Sequence, residues 1–350
     1  MTLTTWLSRL PGPLAEQLRA VIEADTEHPD LHPTPWQAAV VMRFGAVLGG
    51  AALISCLGVL LATAFGDVSL VLALALSGGG LAIHRNATRQ LYDMMRQLGL
   101  LLQWTALGMF AVWGAAQELD PVPFAALWCL WEGVAIALWR DDAQRGLSAL
   151  GLMGGLAVLV GYDLPPAQLP ALGLLPLLGA LALWAAHGPL ARRGYTAIVD
   201  PVASMWTMIA LFAMVPGRLV GLFFDGRSRS EDVVAVVSVA ALVGVVGWLM
   251  TRPELARFRP ALAALALALI PAGWQVPGVA SASALGLLTL ARGRPALAGA
   301  AVVALAGYIV WLYYSFDLSF GAKAAWMAIT GVALWAASWL VPADDAVEAR

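Results

Sequence analysis

Charge is what this sequence has least of. Charged residues make up 12% of its 350 positions, against about 25% in ordinary soluble proteins. So few charged side chains could not cover a chain of this size in water. Cysteine is nearly absent too: Cys56 and Cys129 both fall inside apolar runs, so a disulfide framework and a Cys-rich metal centre are excluded by count. The net charge is −2, which leaves no basic footprint for nucleic acid. Neither GxSxG, HExxH nor CxxC occurs, and SGGG at 77–80 lacks the spacing and the following Lys-Ser/Thr of a phosphate loop. An early apolar core is also missing. Glu16, Glu23, Asp25, Glu27 and Asp30 stand among the first 43 residues, so no cleavable leader is expected and the first span is expected to act as signal anchor.

What the chain does have is apolar sequence, 61% of it. Long runs broken by charge, Pro and Gly predict twelve helical spans, at 44–65, 68–83, 98–116, 121–139, 147–162, 169–187, 198–216, 233–250, 260–275, 277–291, 296–314 and 321–341. Four of these (68–83, 147–162, 260–275 and 277–291) are short for a crossing, which keeps a ten-span alternative open. The runs are continuous rather than alternating, which excludes a β-barrel. The expected fold is therefore all-α, a polytopic transmembrane helix bundle. Residues 1–43 form a cytoplasmic segment, 44–341 the membrane domain and 342–350 a short cytoplasmic tail.

Orientation follows from the basic residues. With the N-terminus inside, only Arg218, Arg227, Arg229 and Lys323 of the 20 Lys and Arg fall outside, leaving 16 inside. That split obeys the positive-inside rule and puts both termini in the cytoplasm, with a cell inner membrane as the expected location. The loop 217–232 is the exception, carrying three arginines on the outer side. Leu14, Leu18, Val21 and Ile22 share one face of an amphipathic helix that Pro13 can start. The stretch HRNATRQLYDMMRQ (84–97) reads as an interfacial helix with snorkelling arginines. The hairpins of the fourth and fifth spans and of the tenth and eleventh echo one another weakly, each with two arginines in its turn.

Glu132 is the carboxylate placed well inside a span, about 10 Å from the inner end at 1.5 Å per residue. Gln103 sits at comparable depth. Such a pair is either a proton or cation site, or a hydrogen bond that joins helices. Arg218, Arg227, Arg229, Asp317 and Lys323 form a candidate outer face for an anion or an acidic partner; a snorkelling Lys323 with Asp317 as loose counter-ion is the simpler account. His28, Asp30 and His32 have metal-like spacing, but Pro29 and Pro33 break the helical face and no third strong ligand follows, so no metal is expected. His84 and His187 stand at inner span ends, where an interfacial role suffices. Most of the tryptophans lie near span ends, as aromatic belts do. Gly45-xxx-Gly49 and Gly151-xxx-Gly155 permit close helix packing.

The closing stretch YIVWLYYSFDLSFGAKAAWMAITGVALWAASWLV (308–341) resembles the end of a family of bacterial inner-membrane proteins, domain-of-unknown-function family 4401, related to family 2157. The likeness rests on Tyr313, Tyr314, Leu318, Lys323 and Gly331 there, on Pro35 and Trp36 at the entry to the first span, and on the Gln97-Leu98 pair. The Gly-Gln pair expected after it reads Gly108-Met109 in this chain. The resemblance implies a polytopic membrane protein without assigned activity, often paired with a membrane-anchored protein bearing a GDYxxLxY motif. No cofactor and no enzymatic chemistry are expected. A partner-binding or envelope-complex component is the favoured function. The alternative is a secondary transporter for an apolar or lipid-like substrate, proton-coupled through Glu132.

Overall fold

The computed structural model describes residues 68–85, 92–213 and 229–315, and among these every element is helical. A helix satisfies its own backbone, the one open-ended solution in a medium without water. Ten α-helices occur among the described residues: α1 Val68–Arg85, α2 Tyr92–Ala116, α3 Pro121–Leu138, α4 Asp142–Gly161, α5 Leu174–Arg192, α6 Thr196–Ala213, α7 Arg229–Met250, α8 Arg259–Gln275, α9 Pro277–Ala291 and α10 Pro295–Ser315. Short 3-10 helices, Pro166–Gly173 and Pro253–Phe258, lead into α5 and α8. Each helix corresponds to an expected span; the spans at 44–65 and 321–341, and the N-terminal amphipathic helix, lie outside the described residues. Among the described residues eight helical segments are long and apolar enough to cross a membrane, while Pro277–Ala291 and the apolar stretch Pro295–Trp311 are shorter.

Three boundaries differ from the sequence reading. The expected span 147–162 begins at Asp142, because Asp141 caps α4 by accepting the Gln144 backbone N–H at 3.0 Å and Arg145 is taken up inside the protein. Of the expected interfacial helix at 84–97, His84 and Arg85 belong to α1 and Tyr92–Gln97 to α2, and 86–91 lie outside the described residues. The fifth helix runs past His187 and Pro189 to Arg192.

The chain divides into two compact units, Met1–Gln117 and Glu118–Arg350. In the first, α1 and α2 pack together and come close at Gly80, where a Cβ would stand 2.9 Å from the Gly99 carbonyl oxygen. Small residues allow that approach, which gives van der Waals packing its grip where lipid is as apolar as the side chains.

In the second unit, successive helices pack as the hairpins α3–α4, α5–α6, α7–α8 and α9–α10. α9 is the centre, packing against α5, α6, α7, α8 and α10. Its residues Gly278 to Leu285 are all buried. A helix of 15 residues spans about 22 Å, short of a hydrocarbon core of roughly 30 Å. Enclosure by other helices, rather than by lipid, accounts for its small-residue composition. A Cβ at Gly278 would overlap the Tyr308 ring, and Ser281 donates to Ser238 of α7 at 3.0 Å. Around this core the outer surface is apolar: Leu267, Leu290, Val302 and Val303 are exposed, as lipid-facing side chains are.

The turns that close α5 and α9 are alike. Gly194 (φ 81°) and Gly293 (φ 72°) adopt the left-handed conformation, and Tyr195 N–H and Arg294 N–H return to the carbonyls of Leu190 and Thr289. These are Schellman closures. The α3–α4 turn closes differently, through extended Trp139 and the Asp141 cap. The two hairpins that echo one another in sequence therefore do not share a turn.

Candidate functional site

Glu132 lies on the inward face of α3, which also carries Ala125, Ala135 and Ile136, while Leu127, Leu130, Val134 and Leu138 face outward. It is 1% exposed. Its carboxyl faces the Ser148 hydroxyl of α4, and Gln144 donates to the same hydroxyl at 3.1 Å. The Gln144 side-chain oxygen is buried with no partner. A polar file Glu132–Ser148–Gln144 therefore runs along the α3–α4 seam to the first turn of α4. Gly151 makes room for it: a Cβ there would come within 2.7 Å of the Glu132 carboxyl carbon. One turn on, a Cβ at Gly155 would meet Cys129 Sγ at 2.6 Å. The indole of Trp128 donates to the Gly151 carbonyl at 3.0 Å. The Gly151-xxx-Gly155 spacing thus serves close helix packing and, at the same time, seats a carboxyl.

Gln103 belongs to the other unit and has its own partner, accepting from Ser77 of α1 at 2.6 Å. The structure gives each of these two polar residues a bond inside its own hairpin.

A second polar layer occupies the end of the second unit where α3–α4, α5–α6, α7–α8 and α9–α10 turn. Arg145, 6% exposed, donates from Nε to the Ile136 carbonyl at 3.2 Å and from Nη1 to the Ala197 carbonyl at 2.5 Å. Ile136 lies in the last turn of α3, so the guanidinium meets the negative end of that helix dipole. His187 Nε2 on α5 meets Asp200 Oδ1 on α6 at 2.7 Å, and Arg294 from the α9–α10 turn reaches Asp200 Oδ2. Arg292 of the same turn donates to the Ala185 carbonyl at 3.3 Å. These contacts fasten the α3–α4, α5–α6 and α9–α10 turns to one another at one end, each charged group meeting a carbonyl or an opposite charge. Further in, Trp184 donates to Thr207 at 2.9 Å and Trp206 to the Ala149 carbonyl at 3.0 Å. The Tyr308 hydroxyl donates to the Leu211 carbonyl.

Sequence reasoning took His187 as an interfacial residue and passed over Asp200. Their link, and the tie to Arg294, span 13 and 94 residues, so no local motif signals them. Arg145 was read as a turn charge; its burial depends on two carbonyls offered by other helices.

Of the remaining candidates, Arg218, Arg227, Asp317, Lys323, Leu318, Gly331, Pro35 and Trp36 lie outside the described residues. So do His28, Asp30 and His32. Arg229 opens α7 and Gln97 falls within α2. Tyr313 and Tyr314 meet edge to face, with ring centroids 5.2 Å apart. Among the described residues no group of three or more His, Cys, Asp or Glu side chains is placed to hold a metal ion.

A family model described as "Domain of unknown function (DUF4401)" matches residues 35–343. The chain belongs to that family. The match takes in all ten described helices of this DUF4401 protein and every position on which the sequence resemblance rested. No curated protein and no solved structure matches it.

Proposed function

We propose that this DUF4401 protein is a multi-pass protein of the bacterial inner membrane that works without enzymatic chemistry, binding a partner in an envelope complex. The observation that carries this reading is how the polar groups of the bundle are used. Gln103–Ser77, Glu132–Ser148, Arg145 with two carbonyls, His187–Asp200–Arg294 and Ser281–Ser238 each join one helix to another. A path for a hydrophilic substrate needs several polar groups free at the midplane. The positive charge expected on the outer side is concentrated in the 217–232 loop, with Arg218, Arg227 and Arg229, and at Lys323. That positive outer face suits an acidic partner. The family resemblance points to a membrane-anchored protein with a GDYxxLxY motif.

Gentle solubilisation from native membranes, affinity isolation and identification of co-isolated molecules tests the proposal. A stoichiometric protein that is lost on charge reversal at Arg227 and Arg229 is the expected result. Unchanged co-isolation after reversal would remove the outer-face assignment.

One observation favours a second reading, proton-coupled transport of an apolar or lipid-like substrate. The polar file Glu132–Ser148–Gln144 ends on a buried oxygen with no partner, as a water-linked proton path would. Glu132→Gln keeps the size and the hydrogen bond but cannot ionise. On the partner-binding reading it leaves growth and proton-linked phenotypes unchanged; on the transport reading it abolishes coupling.

A further inference from the structure

The end of α7 carries an arrangement that helix packing alone does not explain. Two guanidiniums approach the indole of Trp248. Arg252 Cζ lies 4.5 Å from the ring centroid and Arg292 Cζ lies 5.2 Å from it. Arg252 comes from the connection after α7 and Arg292 from the α9–α10 turn. One cation over a tryptophan is favourable, but a second beside it adds like-charge repulsion. Burial and then the nearby Arg252 hold the Arg292 guanidinium below its usual value. Among the described residues neither arginine meets a carboxylate: Asp200 is engaged by His187 and Arg294. Arg292 donates through Nη2 to the Ala185 carbonyl, and its Nε is buried with no partner.

We propose that Arg252, Arg292 and Trp248 form a binding site for a phosphate group at the membrane interface, the group an anionic phospholipid headgroup presents. A guanidinium's planar fork matches phosphate oxygens, and two of them neutralise its charge while losing their mutual repulsion. Trp248 stands two residues before the end of α7, and a tryptophan at a span end sits at headgroup level. Basic recesses between transmembrane helices take lipid headgroups for these reasons. The site needs only a chain that crosses a membrane, so it stands or falls separately from the partner-binding proposal.

The test uses the full chain, purified and stripped of lipid in mild detergent, with the thermal unfolding midpoint followed against added lipid. Phosphatidylglycerol is expected to raise the midpoint at concentrations roughly tenfold or more below those phosphatidylcholine needs. Arg252→Gln combined with Arg292→Gln is expected to erase that difference. Protection by inorganic phosphate alone, lost in the same double variant, would support the phosphate site and assign it to free phosphate rather than lipid. Equal responses to the two lipids in the unaltered protein, or a preference that survives the double variant, would overturn it. Should the double variant fail to fold, Arg252→Gln serves by itself, since its guanidinium lies over the indole. A several-fold weaker preference is then expected, and an unchanged one counts against the site.

Discussion

At the residue scale the most exacting contact is between a glycine and a carboxyl. The Glu132 side chain occupies the space where a Cβ on Gly151 would stand, whereas nothing lies within 4 Å of the corresponding position at Gly154. Overpacking a filled site costs about 1–3 kcal/mol, while Gly→Ala in open helix gains up to about 1 kcal/mol from propensity. Gly151→Ala is therefore expected to lower unfolding stability in mixed micelles by that amount, and Gly154→Ala to leave it level or raise it. Equal effects from the two substitutions would mean that the carboxyl does not pack against α4 as described. The importance of Glu132 was legible in the sequence, because a lone carboxylate in an apolar run is conspicuous. The roles of Ser148 and Gln144 were not: short polar residues near a span end carry no signal until the neighbouring helix is placed beside them.

At the scale of elements, helix positions could be read from the apolar runs because the bilayer leaves the backbone few alternatives. Helix starts were less legible. Arg145 reads as a turn residue ahead of the span at 147–162, yet α4 begins at Asp142 because two carbonyls from α3 and α6 receive the guanidinium. Arg85 and Tyr92 likewise belong to long helices, not to a separate interfacial one. What the sequence does mark is the Gly that ends α5 and α9. A side chain in the left-handed region costs roughly 1–2 kcal/mol. Gly293→Ala is accordingly expected to destabilise the protein by about 1 kcal/mol or more. It is also expected to loosen the Arg294–Asp200 tie, because Arg294 is the next residue after the turn. Gly299→Ala, with open space at its Cβ, is the matched control. Amide exchange at the Arg294 N–H, which bonds the Thr289 carbonyl at 2.9 Å, should quicken in the first variant and not in the second.

For the molecule as a whole, orientation links the charge pattern to the helix order. The turns carrying Arg145, Arg192, Arg193, Arg252, Arg257, Arg292 and Arg294 are held together at one end of the second unit by contacts among their own residues. A shared end can face only one compartment, and the positive-inside rule predicts that it is the cytoplasm. Single cysteines in a background lacking Cys56 and Cys129 can test this, since Gln117, Asp163, Arg193 and Ala256 are all exposed connection residues. A membrane-impermeant maleimide applied to intact spheroplasts is expected to label Gln117→Cys and Asp163→Cys. Arg193→Cys and Ala256→Cys should react only once the membrane is opened. Labelling of Arg193→Cys and Ala256→Cys alone on intact spheroplasts would invert the orientation and put the arginine-rich end outside. A split in which Arg193→Cys and Ala256→Cys disagree would be more damaging. Those turns share one end of the same packed unit, so the packing of α5–α6 and α7–α8 around α9 would itself have to be wrong.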